Sequence, residues 1–386
     1  MSVTEGPVTD PQELAEQVSR GRLQTETMVL NVGPQHPATH GVFRLLATID
    51  GEVLVDAQPV IGYMHRGKEK LVEARDYRQI TNLLSRMDWL SNIQNELPLW
   101  MAVERMMEIE VPPRAQYLRT IMAELNRILN HLMFFASFGA ELGAITPTFY
   151  AFREREDIQA AMEQATGGRL HFGFLRAGGL KEDMPLGFFE QTLAAVRQVI
   201  ARMDDYYNLL IGNEIFKQRT IGVGVLDKEV AYSYGVSGPI ARGSGISMDV
   251  RKDEPYLVYD QLDFDVPVGA NGDCFDRFWV LLHEVYESAR IVEQCIEALP
   301  GGPVLGKVPR TIQAPEGQIL ARHENSLGEL AYYLISDGDK RPYRLKLRTP
   351  SFHNVSALPV VLKGTYVSDM IAILGSFFFV LGDIDR

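Results

Sequence analysis

The chain has 386 residues, 46% of them hydrophobic and 23% charged, and a formal net charge of −12. That length points to one large intertwined domain or two lobes rather than one small core, and the acidic balance excludes free nucleic acid as a partner, because phosphate binding needs a basic surface. Cys274 and Cys295 are the only cysteines, which excludes a disulfide framework and any four-thiolate iron–sulfur cluster held by this chain alone.

Residues 1–26 open as MSVTEGPVTDPQELAEQ. They are acidic and polar, with no basic segment followed by an apolar one, so neither a signal peptide nor a transit peptide is expected. An arm, flexible or docked on a partner, is expected there. A domain over 27–386 follows, with an N-terminal sheet over 27–70 and a helical body with peripheral strands over 71–386. The first strand is expected at Thr27–Val32. Next comes a loop tied by Pro34, Pro37 and Gly41 that carries His36 and His40. Pro37 between the two histidines puts them on a loop rather than a helix face. Val42–Ile49 and Glu52–Val60 around Asp50-Gly51 predict a hairpin.

Gly62-Tyr63-Met64-His65-Arg66-Gly67-Lys68-Glu69-Lys70 follows the hairpin. It reads as a site rim, an ionic contact with a partner, or a solvated helix start with an Arg66–Glu69 pair. Helical spacing of Leu118, Ile121, Met122, Leu125, Ile128, Leu129 and Leu132 predicts a long helix over 114–138, and Pro112-Pro113 marks its start. Glu124, Asn126, Arg127, Asn130 and His131 interleave with that stripe and must be paired wherever they are buried. Glu141 beyond it reads as a carboxylate orienting an imidazole, or as an exposed helix end. Further helices are expected at 188–210 and 275–298, and Gly222–Pro255 between them is expected as loop. Short strands are expected at 331–335 and 343–347, and a last helix from about 366 towards 381. Met370–Gly382 is apolar but falls short of the about 20 residues a membrane span needs, so it is expected in the core. The sum is a mainly helical α+β fold.

The chemical alternatives narrow quickly. Gly222-Val223-Gly224 and Gly243-Ser244-Gly245 lack the spacing of a phosphate loop, and Gly-x-Ser-x-Gly does not occur, so dinucleotide binding and hydrolase chemistry are not expected. His36 and His40 have no third His or Cys at ligand spacing, so no metal is expected. A loop imidazole is then a proton donor or hydrogen-bond partner, or simply a satisfied turn residue.

The segments Asn31–Gly41 and Gly62–Lys70 resemble the first two signatures of the D-type polypeptide of respiratory complex I, the NADH–quinone oxidoreductase. Gly143–Pro147 with Phe152–Glu156, Gly235–Pro239 with Arg242–Ile246, Ser336–Gly338 with Arg341–Arg344, Pro350–Phe352 and Gly382–Arg386 continue the resemblance in order. It implies a fold like the large subunit of nickel–iron hydrogenases, with a small N-terminal antiparallel sheet and a bundle of long helices. Ser85–Glu96 and Ser376–Arg386 contain no cysteine, so a hydrogenase metal centre is excluded by residue type. The resemblance implies that the vacated cavity takes a quinone headgroup as substrate, and that this chain alone holds no cofactor. Electrons would come from a 4Fe-4S cluster on an iron–sulfur small subunit. Further partners would be the C-type polypeptide of the same complex, a ferredoxin-like subunit and a quinone-channel membrane subunit. The chain would lie peripherally on the cytoplasmic face of a bacterial membrane and be inactive in isolation.

The resemblance further implies that His40 bonds the quinone and protonates its reduced headgroup, with Glu141 stabilising the imidazolium, and that His36, Arg66 and Trp89 contribute to binding. Trp89 and Glu141 depart from the family pattern, which has tyrosine and aspartate. An indole N–H donates a hydrogen bond but does not give up its proton as a phenol can. Two changes at one site point to a divergent second paralogue. A catalytically weak structural or regulatory paralogue, or a complex fed by a donor other than NADH, is therefore the alternative.

Overall fold

The computed structural model describes residues 27–386, so the expected arm over 1–26 lies outside the described residues. An antiparallel sheet comes first: β1 (Met28–Val32), β2 (Arg44–Asp50) and β3 (Val53–Val60), in that order. Alternation along β2 buries Leu45, Ala47 and Ile49 on one face, as a half-covered strand requires.

The helical body is built on α1 (Asn92–Met107), α2 (Pro113–Glu141), α3 (Thr146–Thr166), α4 (Phe188–Ala201) and α5 (Cys274–Glu297). Pro113 at the first position of α2 has a preset φ and lacks only an N–H that would be unbonded there anyway. The expected apolar stripe of α2 is buried along its whole length. α2 runs three residues beyond the expected end at 138, which places Glu141 in its last turn. α3 and α5 pack along α2, and α1 packs on β4 (Gly317–Asn325) and β5 (Gly328–Ser336) of a second antiparallel sheet completed by β6 (Arg344–Arg348). The expected loop over 222–255 is broken by short helices at Lys228–Ser233, Gly238–Gly243 and Val250–Asp253. Its glycines and Pro239 hide these single turns from a reading by composition.

The expected last helix is two pieces, α6 (Val367–Ser376) and α7 (Leu381–Asp385), separated by an irregular Phe377–Val380. Phe378 there has a left-handed φ of 30°. Met370 and Ala372–Asp385 are buried, in agreement with a core role for the apolar run. No helix among the described residues is long and apolar enough to cross a membrane.

The polar residues that interleave with the stripe of α2, Glu124, Asn126, Arg127, Asn130 and His131, are all buried, and the charged ones among them belong to one ionic network. Glu124 accepts from Tyr259 Oη at 2.6 Å and Ser288 Oγ at 2.7 Å, and from Arg127 and Arg251. Arg242 donates to Glu284 at 2.6 Å and to Glu324 at 2.8 Å, and His131 Nε2 meets Glu284 at 2.8 Å. Burial pushes the Glu284 and Glu124 carboxyls up, but Arg242 on the first and Arg127 with Arg251 on the second bring both down to about 2. These pairings rigidify the bundle around α2 and so fix the height of Glu141 at its end.

Candidate functional site

Three pieces of chain far apart in sequence meet beside the N-terminal sheet. The turn Pro37–Thr39 ends at His40, whose left-handed backbone (φ 51°) turns its ring inward. The His40 ring packs on Phe379 at a centroid distance of 4.8 Å. Its Nδ1 lies 2.9 Å from the Phe379 carbonyl oxygen. A carbonyl only accepts, so Nδ1 carries a hydrogen and donates it. His40 Nε2 therefore bears a proton only in the imidazolium form and offers a lone pair in the neutral one.

Glu141 Oε1 stands 3.8 Å from that Nε2. This is beyond a direct hydrogen bond but well within charge attraction. The Glu141 side chain is only 8% exposed, and its Oε2 has no hydrogen-bond partner among the described residues. Glu141 is thus a buried carboxylate facing an imidazole, not an exposed helix end. Gly375 of α6 makes this possible, because a Cβ there would lie 2.0 Å from Glu141 Oε2.

His40 opens on a cavity of about 290 Å³, close to the lower end of small-molecule sites, about 300–1,000 Å³. Val42 and Met64 form one wall, Trp89 and Leu90 another, Met133 and Ser137 of α2 a third, and Phe378–Gly382 the fourth. Apart from His40, Trp89 and Ser137 the lining is apolar. The Ser137 hydroxyl donates back to Phe134 O. The arrangement suits a flat, apolar ligand with a polar edge presented to His40.

The cavity is held together by the end of α7. Asp385 accepts from Gly62 N at 2.8 Å and Met64 N at 2.7 Å, and its carbonyl accepts from His65 Nδ1 at 2.6 Å. Gly382 lies so close to the Met87 carbonyl that a Cβ would sit 2.4 Å from it.

Of the residues expected at the site, the structure brings His40, Glu141 and Trp89 together. His36 is exposed, and its Nδ1 accepts from Ala38 N, capping the turn that presents His40. Arg66 is exposed and donates to Arg86 O rather than facing the cavity. Glu69 pairs with Arg344 and Lys346 instead of Arg66. Sequence reasoning missed Met133, Ser137 and the Phe378–Gly382 wall. The apolar run at 370–382 was the available signal, and it reads equally well as plain core.

Among the described residues, no group of three or more His, Cys, Asp or Glu is arranged to hold a metal ion. Cys274 and Cys295 are both buried and free.

The molecule is thus a mainly helical α+β protein with an apolar cavity lined in part by His40, whose imidazole faces the Glu141 carboxylate. Comparison with known proteins supplies the family. The model for the 49 kDa subunit of the respiratory-chain NADH dehydrogenase matches residues 141–313 and 305–386. The D 2 polypeptide of the NADH-quinone oxidoreductase of Streptomyces griseus is 55% identical over 371 residues, 95% of this chain and 94% of that one. The D 1 polypeptide of Streptomyces coelicolor is 54% identical, over 95% of this chain and 97% of that one. The D polypeptide of Geobacillus kaustophilus is 50% identical, over 94% of this chain and 99% of that one. The chain belongs to the 49 kDa, or D-type, family of NADH–quinone oxidoreductase subunits. Its likeness to a D 1 and to a D 2 is nearly equal.

Proposed function

We propose that this chain supplies the quinone-headgroup site in the peripheral arm of a proton-pumping NADH–quinone oxidoreductase. It would sit on the cytoplasmic face of a bacterial membrane. Its neighbours would be an iron–sulfur small subunit, the C-type polypeptide, a ferredoxin-like subunit and a membrane subunit that admits the quinone. The observation that carries this reading is the His40 imidazole lining an otherwise mostly apolar cavity, with the Glu141 carboxylate 3.8 Å from its Nε2. Electrons reach the headgroup from an iron–sulfur cluster on the neighbouring small subunit. His40, charged and held beside Glu141, donates its Nε2 proton to a headgroup oxygen as that oxygen gains electron density, and is left neutral. The Phe379 carbonyl keeps the Nδ1 proton in place, so only the Nε2 proton is free to leave. The apolar walls lower the local dielectric and so strengthen these charge interactions.

Ser137→Trp tests the site by filling the cavity from α2. In the assembled complex it is expected to abolish quinone reduction while leaving electron transfer from the donor to a water-soluble acceptor. Undiminished quinone reduction would remove the cavity from the reaction.

Glu141 is tested through Gly375→Ala, whose Cβ must displace the Glu141 carboxylate. Quinone reduction is expected to fall, by up to about 10²-fold, the scale of a misplaced reacting group. Normal rates in this variant would show that Glu141 is not needed at its present position.

Trp89 favours a second reading, a structural or regulatory paralogue that reduces quinone weakly, since an indole cannot yield the proton a phenol would. A complex nearly silent as isolated, and activated by Trp89→Tyr, would establish that reading instead.

A further inference from the structure

Reducing a quinone to a quinol needs two electrons and two protons. Among the residues lining the cavity, His40 alone is titratable. Trp89 holds its indole hydrogen, and the Ser137 hydroxyl is committed to Phe134 O. A second proton needs another source than the lining of this chain.

Three buried ionisable side chains from separate parts of the chain interact with one another, and two of them, Asp88 and Asp383, adjoin the lining residues Trp89 and Gly382 in sequence. Lys68 begins the short helix Lys68–Glu73, Asp88 precedes Trp89, and Asp383 follows Gly382 in α7. Lys68 is 3% exposed, and Asp88 and Asp383 are 0% exposed. Asp88 accepts from Leu90 N at 2.9 Å and Asp383 from Ser351 N at 2.9 Å. Lys68 Nζ, Asp88 Oδ2 and Asp383 Oδ1 are each left without a hydrogen-bond partner among the described residues. Buried polar atoms usually have partners, and three unpaired ones on side chains that act on one another are suited to bridging by water.

These groups act on one another. Asp383 and Asp88 both bear on Lys68, and Asp383 bears on Asp88. Arg66 and Arg86 also face Lys68, Arg386 faces Asp383, and Lys68 bears on His171. Tyr332 feels both carboxylates. With one ammonium and two ionised carboxylates the trio carries one net negative charge, and one added proton makes it neutral. Burial favours the neutral state.

We propose that Lys68, Asp88 and Asp383 form a buried proton-loading cluster adjoining the cavity lining, in which the two carboxylates share one proton and supply it to the headgroup. This rests on the quinone reading above. The headgroup gains two electrons from the partner's cluster, one proton from His40 and one from the carboxylate pair. Its two carbonyls become hydroxyls, and His40 is left neutral and the pair ionised. Both then recover a proton from solvent. Asp88 and Asp383 act through water rather than by touching the headgroup.

The affinities of the three groups converge near neutral pH. Burial, then Arg66, brings Lys68 down to about 7. Burial, then Asp383, pushes Asp88 up to about 7, and burial pushes Asp383 up to about 6. They titrate as one unit.

The test is quinone reduction against pH in the assembled complex, comparing the parent with Asp88→Asn, Asp383→Asn and Lys68→Met. The parent is expected to lose rate above neutral pH as the cluster deprotonates. Each Asn variant should lower the neutral-pH rate by about 10²-fold, the lower end for a positioned proton donor, and should lose the part of that alkaline fall that the cluster contributes, which changes the profile's shape and midpoint. Lys68→Met leaves the carboxylates without their cation, so the fall should move to higher pH. A purely structural role would change rates without moving the profile. Redox-difference infrared spectra of the unmutated parent should show a protonated-carboxyl band bleaching during turnover, a reading that needs no variant to fold. Profiles superimposable on the parent's, or no such band, would overturn the cluster. If Ser137→Trp also leaves quinone reduction intact, the quinone reading itself has failed; if it abolishes it, only the cluster has.

Discussion

His40→Asn is expected to lower quinone reduction in the assembled complex by about 10²–10⁴-fold, the contribution of a positioned general acid. Asparagine is the informative substitution because His40 sits in the left-handed region. Asparagine tolerates that backbone, whereas alanine there adds strain of about 1–3 kcal/mol. Its amide can still donate to the Phe379 carbonyl, so the loop keeps its anchor while the transferable proton is gone. Electron delivery to a water-soluble acceptor upstream should be unchanged. A rate within a few-fold of the parent would exclude His40 as the proton donor, and a loss shared by the upstream assay would indicate failed assembly.

Arg242→Met is expected to cost about 3–5 kcal/mol, the usual effect of stripping one partner from a buried ion pair. Arg242 is fully buried and binds Glu284 and Glu324, with Asp249 at 3.6 Å. Methionine fills part of the space but leaves these carboxylates uncompensated. Arg290→Met is the control. Arg290 is 41% exposed on an ion pair with Glu287, and its loss should cost at most about 1 kcal/mol. Denaturant midpoints of the full chain measure both.

The pH dependence gives an independent check. Glu284 is held at about 2 in the folded chain against an ordinary 4.5. Its stabilisation is therefore complete above about 4.5 and is lost as pH falls through about 2. In Arg242→Met the carboxyl loses its main partner, so this acid-side loss should shrink. Equal midpoints for parent and Arg242→Met would show that the network contributes little.

Much of this arrangement could be read in advance where local rules decide. The Asp50-Gly51 hairpin, the Pro-led start and stripe of α2, and the loop lifting His40 are set by residues within a few positions of one another. α1 escapes such reading because residues 92–104 are all buried, leaving no solvent face to give a periodic pattern. Pro98 within it argues locally against a helix. The wall Phe378–Gly382 escapes for another reason. Its break after Ser376 serves the contacts with His40 and Met87, which lie almost the whole chain away. Arg66 shows the converse: its motif draws attention to it, yet its guanidinium faces Arg86 O outside the cavity.

That wall sets the timetable of synthesis. His40 and the Phe379 carbonyl are separated by 339 positions, and the ties from Gly62, Met64 and His65 to Asp385 by more than 319. At about 5–20 residues per second, the N-terminal sheet leaves the ribosome roughly 17–70 s before the segment that covers it. For that interval Phe43 and the inner face of β2 lack their final partner, and the edge strands are open to wrong pairing. The site is therefore assembled last, once the C-terminal segment that walls it has been made.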